Sequence, residues 1–165
     1  MTGVLLHTLE SHTDYVNSVD VSKKVDILAS GSSDRTVKLW NINSGNLLHT
    51  LRSHSKGVTS VAFNGKGHLA SGSADQTIKV WDTVEGTLLQ TLISHTDWVN
   101  CIAFSGNGLL ASGSYDKTVK IWDSDSGRVL QTLNGHNASV KSVDFSRTGL
   151  LASGSEDKTI VIWKN

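Results

Sequence analysis

The amino-acid sequence predicts an all-β protein built from four copies of one antiparallel sheet. Three observations carry this. The phrase ASGSYDKTVKIWD at 111–123 returns, nearly unchanged, at 29–40, 70–81 and 152–163. Each copy divides into four short apolar stretches separated by Gly, Asn, Asp and Ser turn residues, the signature of consecutive antiparallel strands. No stretch of useful length carries the i, i+3, i+4 spacing of an amphipathic helix.

The period is read from single residues. Trp40, Trp81, Trp122 and Trp163 each stand 41 residues apart. His12, His54, His95 and His136 keep almost the same spacing, with one extra residue in SKKVD at 22–26. Insertions collect in loops, so that segment is a loop. The third period shows the elements in order. Leu88–Leu92 is a strand, and ISHTDW turns the chain. Val99–Phe104 alternates apolar and polar residues, and SGNG turns it again. Leu109–Ser114 follows, then the turn at Tyr115, Asp116 and Lys117. Thr118–Trp122 is β-branched and closes the unit before DSDSG. A fixed period of this length means a repeat architecture in one domain, residues 1–165.

Composition narrows the classes. Fifteen basic residues balance fifteen acidic ones, and no charge block stands out. Such a chain has no electrostatic reason to bind nucleic acid or an anionic membrane. No apolar run reaches the roughly 18 residues of a membrane helix, and MTGVLLHTLESH lacks the basic start of a signal peptide. Cys101 is the only cysteine, which excludes an internal disulfide and fits a reducing, cytoplasmic compartment. Pro is absent, while Gly occurs 15 times.

A Gly/Ser-His pair, a strand, the ASGS-x-D-x-T phrase ending in Trp and a following LLxTL stretch together resemble the WD-repeat β-propeller family. The resemblance covers the whole chain in four concordant copies. It implies blades of four strands, named a to d from the inside out: VNCIAF as a, LLASGS as b, TVKIW as c and LLQTL as d. The repeats are then 12–51, 54–92, 95–133 and 136–163, preceded by a lone d strand at 5–9. The Trp is followed by Asn41, Asp82, Asp123 and Lys164, so two of four copies keep the family's Asp. The family's Ser-Pro-Asp-Gly turn between strands a and b is missing, which explains the absent prolines. Gly67, Gly108 and Gly149 still permit a positive φ there.

Each copy carries a set that resembles a Ser–His–Asp catalytic triad: His12, Ser30, Asp34 and Trp40; His54, Ser71, Asp75 and Trp81; His95, Ser112, Asp116 and Trp122; His136, Ser153, Asp157 and Trp163. Fourfold recurrence argues against catalysis. The resemblance instead implies a structural tetrad that ties the d–a loop to strands b and c. Indole N–H only donates, hydroxyl donates and accepts, and neutral His passes the chain to Asp. No catalytic residues are expected. One Cys and scattered His give no metal spacing, and no Gly-rich phosphate loop precedes a helix, so no cofactor or metal is expected.

The strand order runs d-abc-d-abc-d-abc-d-abc. Leu5, Leu6 and Leu9 of the lone first d strand therefore match a vacancy in the last blade. Closing four blades on themselves needs about 90° per blade, the lower limit of propellers. Blades of about 45° span half a circle, so the expectation is a homodimer: an eight-bladed ring in which each N-terminal strand completes the other chain's last blade.

For function, the resemblance implies a protein- or peptide-binding scaffold, with partners on the face that carries the d–a and b–c loops. Candidate contacts are Tyr15, Asn17, Arg35, Thr59, Trp98, Asn100, Tyr115 and Lys141. Exposed aromatics are common interface anchors, although Tyr15 and Trp98 also suit simple loop packing. Two alternatives stay open: an engineered or excised half-propeller without an evolved ligand, and an enzyme in the channel, for which no unique acid, base or metal cluster is found.

Overall fold

The structure, a computed structural model, describes residues 3–22 and 24–164. Fifteen strands lie among them, in four antiparallel sheets. The first sheet is β1 (Val16–Val21), β2 (Ile27–Ser32), β3 (Thr36–Asn41) and β4 (Leu47–Arg52), hydrogen-bonded in that order. The second repeats it with β5 (Val58–Phe63), β6 (His68–Ser73), β7 (Thr77–Asp82) and β8 (Leu88–Ile93). The third is β9 (Val99–Phe104), β10 (Leu109–Ser114), β11 (Thr118–Asp123) and β12 (Arg128–Asn134). The fourth has three strands, β13 (Val140–Phe145), β14 (Leu151–Ser155) and β15 (Ile160–Trp163). Each sheet is thus a blade, and adjacent strands follow one another in sequence because every connection is a short hairpin.

Turn chemistry sets the hairpins. At the a–b turn of the third blade Gly108 takes φ +95°, a value open to Gly at no steric cost. The b–c turns place non-glycine residues in the left-handed region: Arg35, Gln76, Lys117 and Lys158, at φ 70–74°. Such φ values are uncommon outside Gly and need support from neighbours. Here the preceding Asp supplies it. Asp116 Oδ1 accepts the Thr118 amide at 2.9 Å and its hydroxyl at 2.7 Å, and the same pair of bonds recurs in all four blades.

The core lies between blades. Ala29, Val37, Leu39 and Leu51 of the first blade pack on Val58, Val61, Leu69 and Trp81 of the second. Ala70, Ile78, Val80 and Leu92 repeat this against Val99, Ile102, Leu110 and Trp122. Ala111, Val119 and Ile121 repeat it against Val140, Val143 and Leu151. Each fully buried Val or Leu contributes about 1.5–3 kcal/mol of transfer free energy. A blade therefore owes its stability to its neighbours, as in other repeat folds.

The series of blades is open. Val16 and Val19, at the free face of the first blade, are 52% and 60% exposed. Ile160 and Ile162, at the other end, are 76% and 61% exposed. Between the ends, the inner strands line a groove of about 680 Å³ that includes Asp20, Phe63, Phe104 and Asp144.

One expected element is absent from the single chain. Residues 5–9 form no strand, and Leu5 and Leu6 are 79% and 78% exposed. A strand needs a ladder partner, and among the described residues no strand pairs with this segment. It rests instead beside the first blade: His7 Nε2 is 3.0 Å from the Asn43 carbonyl in the β3–β4 turn.

Candidate functional site

In every blade the structure brings His, Ser, Asp and Trp together. In the third, Trp122 Nε1 donates to Ser112 Oγ at 2.8 Å, His95 Nε2 is 2.7 Å from that Oγ, and His95 Nδ1 is 2.7 Å from Asp116 Oδ2. His12, Ser30, Asp34 and Trp40 repeat this at 2.7–2.9 Å. So do His54, Ser71, Asp75 and Trp81, and His136, Ser153, Asp157 and Trp163. Since indole only donates, Ser Oγ accepts from Trp and gives its own hydrogen to His Nε2. The neutral imidazole then carries its proton on Nδ1 and donates it to the carboxylate.

This is the connectivity of a hydrolytic Ser–His–Asp set, yet it is closed to substrate. Ser112 and Ser71 are 0% exposed, and the indole occupies a lone pair of each nucleophile candidate. A nucleophile must reach its substrate. The carboxylates are further committed: Asp116 Oδ2 also accepts the Thr96 amide at 3.1 Å, which pins the d–a loop.

All four carboxyls sit well below the usual carboxylate range. Burial pushes Asp34, Asp75 and Asp116 upward, but hydrogen bonds from the His, the Thr hydroxyl and backbone amides outweigh it. For Asp157 the Thr159 hydroxyl is the largest influence. The Thr two residues after each Asp is a member of the network that sequence reading passed over; the recurring D-x-T spacing was its signal.

The loop face carries the remaining candidates. Trp98 and Tyr115 meet edge to face, with centroids 5.4 Å apart, and Lys141 Nζ stands 3.9 Å over the Tyr115 ring. Lys141 also pairs with Glu156 at 3.0 Å. Slight burial pulls the Lys141 ammonium down, but Tyr115 and Glu156 outweigh it and hold its pKa above the ordinary lysine value. Trp98 and Tyr115 remain 44% and 37% exposed. Tyr15 is 82% exposed on the first blade, where Arg35 is exposed too; neither joins the aromatic pair. The other three candidates are occupied between blades. Asn17 donates to the Val58 carbonyl at 2.8 Å, Asn100 to the Val140 carbonyl at 2.7 Å, and Thr59 to the Val99 carbonyl at 2.5 Å.

The residue after Trp40, Trp81 and Trp122 has a local task. Asp82 Oδ1 accepts the amides of Val84 and Glu85, and Asp123 Oδ1 those of Asp125 and Ser126. Asn41 Oδ1 makes the same two bonds to Asn43 and Ser44, so its departure from Asp costs no hydrogen bond. Among the described residues no group of His, Cys, Asp and Glu is placed to hold a metal ion, and no helix is long and apolar enough to cross a membrane.

Antiparallel blades, three of four strands and one of three, packed face to face and each laced by an indole–hydroxyl–imidazole–carboxylate chain, define a repeat protein of the β-propeller type. The WD domain, G-beta repeat family matches residues 3–41, 45–82, 86–123 and 127–164. The chain belongs to that family. It is 46% identical over 43 residues to eukaryotic translation initiation factor 3 subunit I of Aspergillus niger, covering 26% of this chain and 13% of that protein. It is 38% identical over 66 residues to a periodic tryptophan protein 2 homolog of Schizosaccharomyces pombe, covering 40% of this chain and 8% of the relative. It is 38% identical over 63 residues to nuclear distribution protein nudF of Aspergillus terreus, covering 38% of this chain and 14% of the relative. The matched stretches thus span less than a fifth of these relatives.

Proposed function

We propose that the chain is a non-catalytic scaffold in the cytoplasm that binds a protein or peptide on its loop face, centred on Trp98, Tyr115 and Lys141. The carrying observation is the part-exposed Trp98–Tyr115 pair with Lys141 over it. Rigid aromatics with a cation alongside are common interface anchors. The tetrads beneath supply the rigidity: Asp116 fixes both the d–a loop and the b–c turn that carry the two rings. Tyr15 and Arg35 offer a second contact on the first blade, while Asn17, Thr59 and Asn100 serve the blade junctions. Selection of peptides from a displayed library tests the reading. Peptides enriched on the wild-type chain should be lost with Trp98→Ala and Tyr115→Ala, with the circular dichroism unchanged. Enriched peptides that bind both variants equally would sink it.

A second reading concerns assembly. Exposed valines at one end and exposed isoleucines at the other favour a homodimer of the 165-residue chain, in which two sets of four blades form an eight-bladed ring and Leu5, Leu6 and Leu9 complete the other copy's last blade. Light scattering at micromolar concentration decides it, since one chain is 17.7 kDa.

A further inference from the structure

We propose that the junction between two copies reproduces the internal blade junctions residue for residue: Val16 and Val19 of one copy seat on Gly154 of the other. The proposal rests on the two-copy reading above and specifies its contacts.

Each internal junction has a glycine socket in strand b, filled by the next blade. A Cβ on Gly31 would stand 2.6 Å from Val58 Cγ1 and 3.0 Å from Val61 Cγ1. On Gly72 it would stand 2.9 Å from Val99 Cγ1 and 3.3 Å from Ile102 Cγ2, and on Gly113 2.5 Å from Val140 Cγ1. Glycine suits these three places because the next blade's strand a crowds the space, joined at Gly113 by Cys101 Sγ of the same blade at 2.7 Å. Gly154 holds the fourth such position, inside β14, and a Cβ there would meet nothing within 4 Å. A glycine inside a strand weakens it and often marks a close approach by another backbone or side chain. The single chain contains no such approach. The matching knobs are on the same chain: Val58, Val99 and Val140 are 0% exposed, whereas Val16 and Val19 are 52% and 60% exposed.

Polar contacts repeat in the same sense. Ser18 Oγ accepts the Val61 amide at 3.1 Å, and Ser60 Oγ accepts the Ile102 amide at 3.2 Å. Ser142 occupies the equivalent place in β13 and is exposed, ready for the Val19 amide of a second copy. The outer edge repeats as well. His49 Nε2 lies 2.9 Å from the Val84 carbonyl, as His7 Nε2 lies 3.0 Å from that of Asn43. Residues 5–9 therefore already lie against the first blade as the outer strand of a preceding blade would. The pairing of β3 with β4 fixes the register they would take on the other copy's β15. Val37 faces Leu51, Leu39 faces His49 and Trp40 faces Leu47, so Ile160 faces Leu9, Ile162 faces His7 and Trp163 faces Leu5. Both halves of the junction belong to one sequence and continue three junctions already built, so the free face of one copy is complementary to the far end of a second.

Sedimentation velocity of the full chain tests this. Wild type should sediment at twice the single-chain mass. Gly154→Leu should fold normally, because the site is open in the single chain, but weaken dimerisation about a hundredfold or more, since overpacking strikes both junctions of the ring. Val19→Asp, at an already exposed position, should do the same. A wild-type monomer at tens of micromolar overturns the two-copy reading and this proposal together. A wild-type dimer unmoved by Gly154→Leu and Val19→Asp overturns this junction alone.

Discussion

The indole of Trp122 donates to the hydroxyl of Ser112 over 2.8 Å, and both residues are almost fully buried. Ser112 is the middle of the chain, so its loss orphans two groups, the Trp122 N–H and the His95 Nε2 acceptor. Loss of Asp116 orphans the His95 Nδ1–H and the loop amides nearer the surface. Each buried orphan costs about 1–3 kcal/mol. Ser112→Ala should therefore destabilise the chain by about 2–4 kcal/mol and Asp116→Ala by about 1–3 kcal/mol, both read from urea unfolding. Equal melting temperatures for wild type and Ser112→Ala would refute the network's structural role.

The four tetrad carboxylates bind protons more weakly in the folded chain than at their ordinary value of 3.8. A depressed folded pKa contributes stability above the unfolded value and loses it as pH falls toward the folded one. The carboxylate contribution should fall steeply below about pH 4 as the unfolded chain takes up protons. Thermal melts between pH 2 and 7 measure this. A melting temperature at pH 3 equal to that at pH 6 would contradict the assignment.

Cys101 packs against the blade junction, where burial pushes its thiol up to about 12 against weaker opposing influences from the backbone of Gly113 and Val143. The thiolate is the reactive form. Labelling with an aromatic disulfide at pH 8 should be slow in the native chain, fast in urea, and should track global unfolding. Rapid native labelling would mean that the junction opens far more readily than its packing implies.

The period of the tryptophans and histidines made the blades legible, because hairpin turns and alternating strands are local and repeat four times. Strand Val99–Phe104 and strand Leu109–Ser114 fall where the sequence places them. Less was legible at the blade junctions. Nothing local distinguishes Asn17, bonded to the next blade's Val58, from a free surface Asn, because that bond spans 41 residues. The left-handed Lys117 was equally hidden, since the Asp116 bonds that support it replace the glycine a turn of that φ ordinarily uses. Residues 5–9 show the reverse limit. Their pattern matches an outer strand, but a ladder needs a partner, and among the described residues no strand pairs with them.

The closeness of Gly72 to Val99 gives the last test, on the junction that carries the core. A methyl added at Gly72 would stand 2.9 Å from Val99 Cγ1 and 3.3 Å from Ile102 Cγ2, inside normal contact distance. Both partners are buried and held by strand β9, so neither side chain has room to retreat. Gly72→Ala should cost about 1–3 kcal/mol through overpacking. Val99→Ala should also destabilise, by leaving a cavity, with a cost of order 2–4 kcal/mol. Combined, the two changes relieve one another, because the added methyl enters the space the valine leaves. The double mutant should be at least about 1 kcal/mol more stable than the sum of the single effects predicts. Strict additivity in urea unfolding would show that glycine is required at this position for some reason other than the approach of the neighbouring blade.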